Sequence, residues 1–436
     1  MVAIIGGGFA GLSAAVALAG AGEAVQLFEA RPTLGGRANT FRDPETGERV
    51  DNGQHILAGC YVETLALLDR LGSASLLHWP SALRLQMIDE SGRPTELRFP
   101  ALPAPLNLLA GILAWDALSL QERWSILRMG SALRGDTRVR PDETVRQWLT
   151  RHQQSTQLCR LFWEPLALAA LNQSIDDAAA SMFVAVTSRM FGGDANASAI
   201  LVPGAPLHDL YVQPAIQFLA THGASVSTHA KAQIVVHDGK VTGVRVGDQH
   251  HPSPTVICAV PWFAMADMFT TDVPAMRTIV SNATTLGSAP IVTVNVWWDT
   301  WRSRHAMFGL PGRAFQWVFD RRQYVDGGAE HLSLVSSGAE AICARPNDEL
   351  IALAIRELRQ ALPELRHENV RHAAVIRERR ATFSLAPGSP PRPSTTTPIA
   401  GLFLAGDWID TGLPATIESA VVAGNRAAAA TLHYLH

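Results

Sequence analysis

The chain opens on an apolar run, Val2-Ala3-Ile4-Ile5. A glycine cluster follows, then a stretch of alanine and leucine, then a second apolar run, Ala24-Val25-Gln26-Leu27-Phe28. Short apolar runs bounded by turn residues predict buried strands, and the longer stretch between them predicts a helix. The same alternation returns further on. Leu207–His222 reads as a helix and Ala224-Ser225-Val226 as a strand. Gln233–His237 and Val241–Val246 flank Asp238-Gly239, a hairpin signal, and Val256–Pro261 reads as another strand. Near the end, residues 401–408 read as a strand, and a helix begins at Pro414, where proline suits a first turn. Residues 1–75, 201–264 and 395–436 therefore predict one discontinuous α/β unit. Residues 76–200 and 265–394 predict a second, α+β unit for substrate. It should be mostly helical over 80–200, with strands Ile291–Trp298, Phe315–Phe319 and His331–Ser336 and a helix over Asn347–Ala361. Pro387–Pro398, rich in Pro, Ser and Thr, reads as a linker between the two.

The glycine cluster adds chemistry to this pattern. Gly6-Gly7-Gly8-Phe9-Ala10-Gly11 is a G-x-G-x-x-G between a strand and a helix. Gly6 allows the tight turn, Gly8 lets backbone approach a pyrophosphate, and Gly11 lets the helix pack on the sheet. The helix start offers free N–H groups and partial positive charge to phosphates. Glu29 lies 18 residues past Gly11, where a carboxylate accepts both hydroxyls of an unphosphorylated ribose, which disfavours NADP. The bland alternative is an ordinary βαβ unit with a glycine-rich turn. With strand, helix, second strand and acid in register, a Rossmann-like dinucleotide fold is the expectation.

Arg31, Gly35-Gly36-Arg37 and Asp51-Asn52-Gly53 come next. The run from Glu29 to Arg37 resembles the flavin amine oxidase and carotenoid desaturase superfamily, so the fold is expected to be amine oxidase-like. The resemblance implies FAD, with Arg37 on the pyrophosphate and Gly53 beside the isoalloxazine. It further implies that Ala232 touches adenine and that Asp407, in Gly406-Asp407-Trp408, holds the ribityl or pyrophosphate portion. The helix after Pro414 would face the flavin O2 region, where its dipole stabilises an anionic reduced flavin. The implied cofactor set is Gly6, Gly8, Ala10, Gly11, Glu29, Ala30, Arg31, Gly36, Arg37, Gly53, Gln54, His55, Ala232, Gly406, Asp407, Pro414, Ala415, Thr416 and Glu418. Taken singly, Arg37 reads as a solvated arginine and Asp407 as a turn cap. Residues 390–410 contain neither cysteine nor histidine, so the FAD is expected to be non-covalent.

Composition narrows the surroundings. Apolar residues make up 47% and charged residues 17%, and the net charge is −3, which gives no sign of a nucleic-acid partner. Cys60, Cys159, Cys258 and Cys343 are scattered, as in a reduced cytoplasm, and predict no metal site. The start lacks the basic residues of a signal peptide, and no apolar stretch is long enough to predict a membrane span. Residues 99–133 stand out. Phe99–Leu120 is apolar, and Gln121–His152 then carries seven arginines and four acids. Two readings stay open: peripheral docking on the inner, anionic face of the cell membrane, or a buried helical hairpin of the substrate unit. The oligomeric state stays open as well.

Three segments resemble the hydroxysqualene dehydroxylases: Val50–Leu65, Pro165–Asn172 and Gly406–Ala420. The resemblance implies hydroxysqualene as substrate, reduced by FAD to squalene with loss of water. Such a site needs a proton donor, a dry pocket and apolar walls. His55 is the leading donor, with Asp51 to orient it, and Asp410 and Glu418 are rival acids. Trp297, Trp298, Phe315 and Trp317 are candidates to steady an allylic cation, against a plain packing role. The alternatives are a carotenoid-type desaturase or isomerase and, more distantly, a non-catalytic prenyl-lipid carrier.

Overall fold

The computed structural model describes every residue except 80–83, 101, 103–105, 133–138, 193–195, 300–305 and 326–330. Among the described residues, a five-stranded parallel sheet runs in the order Ser225–Ser227, Val25–Phe28, Val2–Ile5, Thr255–Cys258, Leu402–Leu404. Val2–Ile5 is central and wholly buried. Alternate side chains go to opposite faces, as the pleat demands. Val2 and Ile4 join one core with Leu12, Ala15 and Val421. Ala3 and Ile5 join the other with Ile234 and Val244 of an antiparallel hairpin. That explains the glycine-to-helix unit: the Phe9–Gly20 helix lies between the sheet and the Ile417–Leu435 helix, so it is apolar all round.

The second large sheet has seven strands, in the order Val370–Phe383, Ser288–Trp298, His331–Ser337, Trp317–Asp320, Met307–Gly309, Arg84–Ile88, Pro94–Arg98. Its pairs are antiparallel except Met307–Gly309 against Arg84–Ile88. Ser288–Trp298 sorts its side chains by parity. Val292, Val294, Val296 and Trp298 pack with Leu350, Leu353, Ala354 and Leu358 of the Asn347–Ala361 helix. Ile291 and Thr293 face the other way, toward the Asn52–His55 loop.

The structure departs from expectation in three places. Two strands, Arg84–Ile88 and Pro94–Arg98, interrupt the stretch read as mostly helical. Their turn is tied by Asp89 Oδ1, which accepts from the Ser91 and Arg93 amides at 2.9 Å each. Val370–Phe383 is a 14-residue edge strand with no counterpart in the sequence reading. Its Arg377-Glu378-Arg379-Arg380 run hides the alternation and suits an edge, where charge discourages further pairing. The expected Leu207–His222 helix begins with a π-helical turn, His208–Val212, before Gln213–Thr221.

Of segment 99–133, residues 101, 103–105 and 133 lie outside the described residues. The rest forms helices Leu106–Ala114 and Leu120–Ser131, the second opened by a Ser119/Glu122 capping box. Ile112, Trp115, Leu118, Ile126 and Met129 are buried, whereas Leu106, Leu113, Leu120 and Trp124 are exposed, Leu120 by 71%. The pair thus packs on the protein and keeps an apolar outer face. Among the described residues, no helix is long and apolar enough to cross a membrane.

Candidate active site

The Val2–Ile5 strand ends at the glycine turn, and an elongated cavity of about 530 Å³ starts there. Local geometry explains its first wall. A Cβ on Gly11 would overlap the Gly6 carbonyl oxygen, so only glycine lets the helix start so close to the strand. The first intrahelical bond runs from Leu12 N to Gly8 O, which leaves the N–H groups of the first turn without helical partners. Gly8 and Gly36 face each other across the gap; a Cβ on Gly36 would lie 3.2 Å from Gly8 Cα. Glu29 accepts from Gly7 N (2.7 Å) and Arg31 N (2.8 Å). A carboxylate has about four acceptor directions, so two remain for ribose hydroxyls.

Sixteen of the residues implied for FAD line this cavity: Gly6, Gly8, Ala10, Glu29, Ala30, Arg31, Gly36, Arg37, Gly53, Gln54, His55, Ala232, Gly406, Asp407, Ala415 and Thr416. Gly11 acts from behind by packing, and Pro414 and Glu418 line a neighbouring cavity instead. Arg37 is part-buried and not alone. It donates to Asp407 Oδ1 (2.5 Å) and to the Ala381 carbonyl (2.8 Å), and it lies 5.2 Å over the Trp262 ring. At the far end, Thr416 caps the Ile417–Leu435 helix, its hydroxyl accepting from Ser419 N. Spare amides at one helix start, a fixed carboxylate, opposed glycines and a second helix start match an extended dinucleotide.

The neighbouring cavity, about 200 Å³, is apolar, with walls that include Leu85, Met87, Phe99, Phe162, Val186 and Met190. Eight residues line both cavities: Gln54, Ile56, Tyr61, Ala169, Ala170, Val335, Ser337 and Thr416. The two spaces are therefore adjacent, with a common wall formed by the Gln54–Tyr61 segment, Ala169, Ala170, the His331–Ser337 strand and Thr416. Of the four aromatic candidates, Trp317 lines the apolar cavity, while Trp297, Trp298 and Phe315 are core residues no more than 1% exposed.

The candidate acids are arranged differently from expectation. His55 lines the larger cavity, half-buried because it borders that internal space, and its Nδ1 lies 2.8 Å from the Gly53 carbonyl. Burial lowers its pKa, against weaker upward pulls from Asp51 and Gly53, so the ring stays neutral and Nε2 is an acceptor. Asp51 does not orient it through a hydrogen bond. Its carboxylate accepts from Thr40 Oγ1 (2.5 Å) and Leu207 N (3.0 Å) and pairs with the buried Arg321 at 3.3 Å. Asp410 lines neither cavity and is exposed, paired with Arg392 at 3.3 Å. Glu418 accepts from Glu63 N (3.0 Å), Thr64 N (2.9 Å) and Thr64 Oγ1 (2.6 Å), and so caps the Val62–Arg70 helix. An acid so occupied is a structural cap, since both its oxygens are already taken by donors of the Val62–Arg70 helix.

Three residues of the site were missed in the sequence. Tyr61 stands in the common wall. Asn172, at φ 54°, ends the Glu164–Leu171 helix. Its amide donates to Ala289 O (3.1 Å) and Thr382 Oγ1 (3.0 Å) and accepts from Gly338 N (2.8 Å), which joins three walls. Arg321 reaches Gln54 Oε1 at 3.4 Å as well as Asp51. Asn after a helix is a recognisable cap signal; a buried arginine in a charged triplet carries none.

The model of the family described as flavin containing amine oxidoreductase matches residues 9–432. A hydroxysqualene dehydroxylase of Sinorhizobium fredii (strain NBRC 101917 / NGR234) is 30% identical, over 98% of this chain and 97% of its own length. A 15-cis-phytoene desaturase of Synechococcus elongatus is 25% identical, over 99% and 95%. Among solved structures, an oxidoreductase from Methanosarcina mazei has the same fold, with a TM-score of 0.77 at 17% identity over 98% of this chain and 99% of that one.

Proposed function

The chain belongs to the flavin containing amine oxidoreductase family, and we propose that within it the protein uses FAD to reduce hydroxysqualene to squalene and water. The observation that carries this reading is the common wall of the two cavities. A glycine-walled space with fixed charged groups, suited to FAD, lies against an apolar space suited to an isoprenoid chain, and hydroxyl and amide side chains stand in the common wall. When bound, reduced FAD supplies a hydride. The chain's own residues do the rest. Glu29, the Gly8–Gly36 gap and the Arg37–Asp407 pair hold the cofactor, the apolar walls exclude water, and the polar side chains of the common wall meet the departing oxygen. A carotenoid-type desaturation has support in the 25% identical desaturase, but its substrate has no oxygen for those polar groups to meet.

Anaerobic incubation with hydroxysqualene, FAD and a chemical reductant, followed by chromatography of the lipid, tests the proposal. Squalene formed only with reduced flavin is expected. Bound flavin without squalene would put the desaturase reading first.

We further read the outer helical face as a docking surface for an anionic bilayer. Leu120, Trp124 and Arg128 recur every fourth residue and are exposed. The helix beside them backs onto the cavity wall, because a Cβ on Gly111 would touch the ring of Phe99, which lines the apolar cavity. Lipid taken from a membrane would enter there with little exposure to water. Co-sedimentation with phosphatidylglycerol vesicles should be lost on Leu120→Glu with Trp124→Glu; retention at wild-type level would reject the surface.

A further inference from the structure

The reaction needs a proton on the oxygen that leaves, and the residues first considered for it are poorly placed. Among the described residues, four polar side chains line both cavities: Gln54, Tyr61, Ser337 and Thr416. Gln54 is held at both ends, its Nε2 donating to the His55 carbonyl (3.3 Å) and its Oε1 accepting from Arg321 (3.4 Å). Thr416 is occupied as a helix cap. Of the two remaining hydroxyls, a phenol is by far the better acid. Tyr61 is also firmly placed. It directly precedes the Val62–Arg70 helix that Glu418 caps, and it lines both cavities together with Thr416 at the start of the Ile417–Leu435 helix.

We propose that Tyr61 is the catalytic residue that hydrogen-bonds the substrate hydroxyl and gives it the proton with which it leaves as water. The assignment rests on the dehydroxylase reading above. In the step, the allylic C–O bond breaks and the oxygen departs carrying the phenolic proton. The carbon gains the hydride that reduced FAD supplies, so carbon is reduced by two electrons and the flavin oxidised by two. Solvent returns a proton to Tyr61. Burial, then the neighbouring Cys60 and Glu418, push the phenol's pKa up, so it stays protonated across the physiological range. His55 borders only the larger cavity and would need an additional proton to act as the acid.

The test compares FAD-loaded wild type with Tyr61→Phe. Binding to the oxidised, non-reacting enzyme is followed by perturbation of the flavin spectrum. Affinity for hydroxysqualene should fall about tenfold, the worth of one buried hydrogen bond, while affinity for squalene is unchanged. Turnover should fall on the order of 100-fold. Wild-type turnover should be level from about pH 6 to pH 9, because a phenol does not titrate there. Full turnover in Tyr61→Phe, or equal loss of affinity for both lipids, would overturn the assignment. So would a wild-type rate that climbs as pH is lowered from 7 through 5, as a histidine acid with a lowered pKa requires; this readout stands even if the variant does not retain flavin. Wild type that makes no squalene would sink the dehydroxylase reading and the assignment with it. Squalene from wild type with an unimpaired variant would remove Tyr61 alone.

Discussion

The cofactor end of the parallel sheet and the wall of the apolar cavity are built on different principles. At the cofactor end, position is fixed by backbone: Gly11 against Gly6, Gly8 opposite Gly36, amides of Gly7 and Arg31 on Glu29. Each contact spans few residues or a fixed motif, and at Gly11 and Gly36 the backbone leaves no room for a side chain. The apolar cavity draws on residues as far apart as Leu57, Met87, Phe162, Met190, Phe319 and Leu413, and its wall is made mostly of interchangeable hydrophobes. Shape there is a property of the assembly. A region that must meet a fixed cofactor is specified residue by residue; one that must exclude water from a flexible chain is specified by volume and polarity.

Three substitutions press on that contrast. Gly11→Ala should have the largest effect at neutral pH. The added methyl meets backbone that has no room to move, and we expect loss of bound flavin and a destabilisation above about 3 kcal/mol. Flavin absorbance per chain and a denaturant midpoint would show it, and a normal holoprotein would break the comparison.

His331→Phe probes the sheet on the cavity side. His331 is buried against Trp297, its ring nitrogens have no hydrogen-bond partner, and burial, reinforced by Arg321, lowers its pKa to about 3. The unfolded chain takes up a proton near pH 6.5 that the folded chain refuses. The wild type is therefore unpenalised above that pH and loses stability as pH falls toward 3, on the order of 3 kcal/mol by pH 4 from this residue. The phenylalanine variant should flatten that acid limb and be no less stable at pH 7, as read from denaturation midpoints across pH. An unchanged slope would show that His331 accepts its proton while folded.

Trp124→Glu should have the smallest effect on stability, within about 0.5 kcal/mol, because the side chain is 61% exposed. A larger loss would mean that the outer helical face contributes to the core.

The uneven legibility of the site follows from the same contrast. The glycine turn, Glu29, Arg37, Gly53 and Asp407 could be expected together because dinucleotide geometry allows few residue types at each place, and the structure lines one cavity with them. Asp410 and Glu418 looked like acids near the flavin because sequence gives proximity along the chain and not direction. One turns out to solvent, and the other turns inward to cap a helix from a distant part of the chain. The Val370–Phe383 strand was hidden for a related reason: an edge strand with one solvated flank need not alternate strictly.

The sequence by itself determined the glycine-to-helix turn, the hairpin at Asp238-Gly239 and the apolar strands of the parallel sheet, because local periodicity and backbone sterics suffice for them. Tertiary structure alone decided that Tyr61 stands in the wall common to two cavities, that Asp51 pairs with Arg321 and that Glu418 is a cap. Those facts depend on which buried polar groups find each other across hundreds of residues. A buried carboxylate takes whichever donors the packing presents, and no periodicity along the chain records that choice.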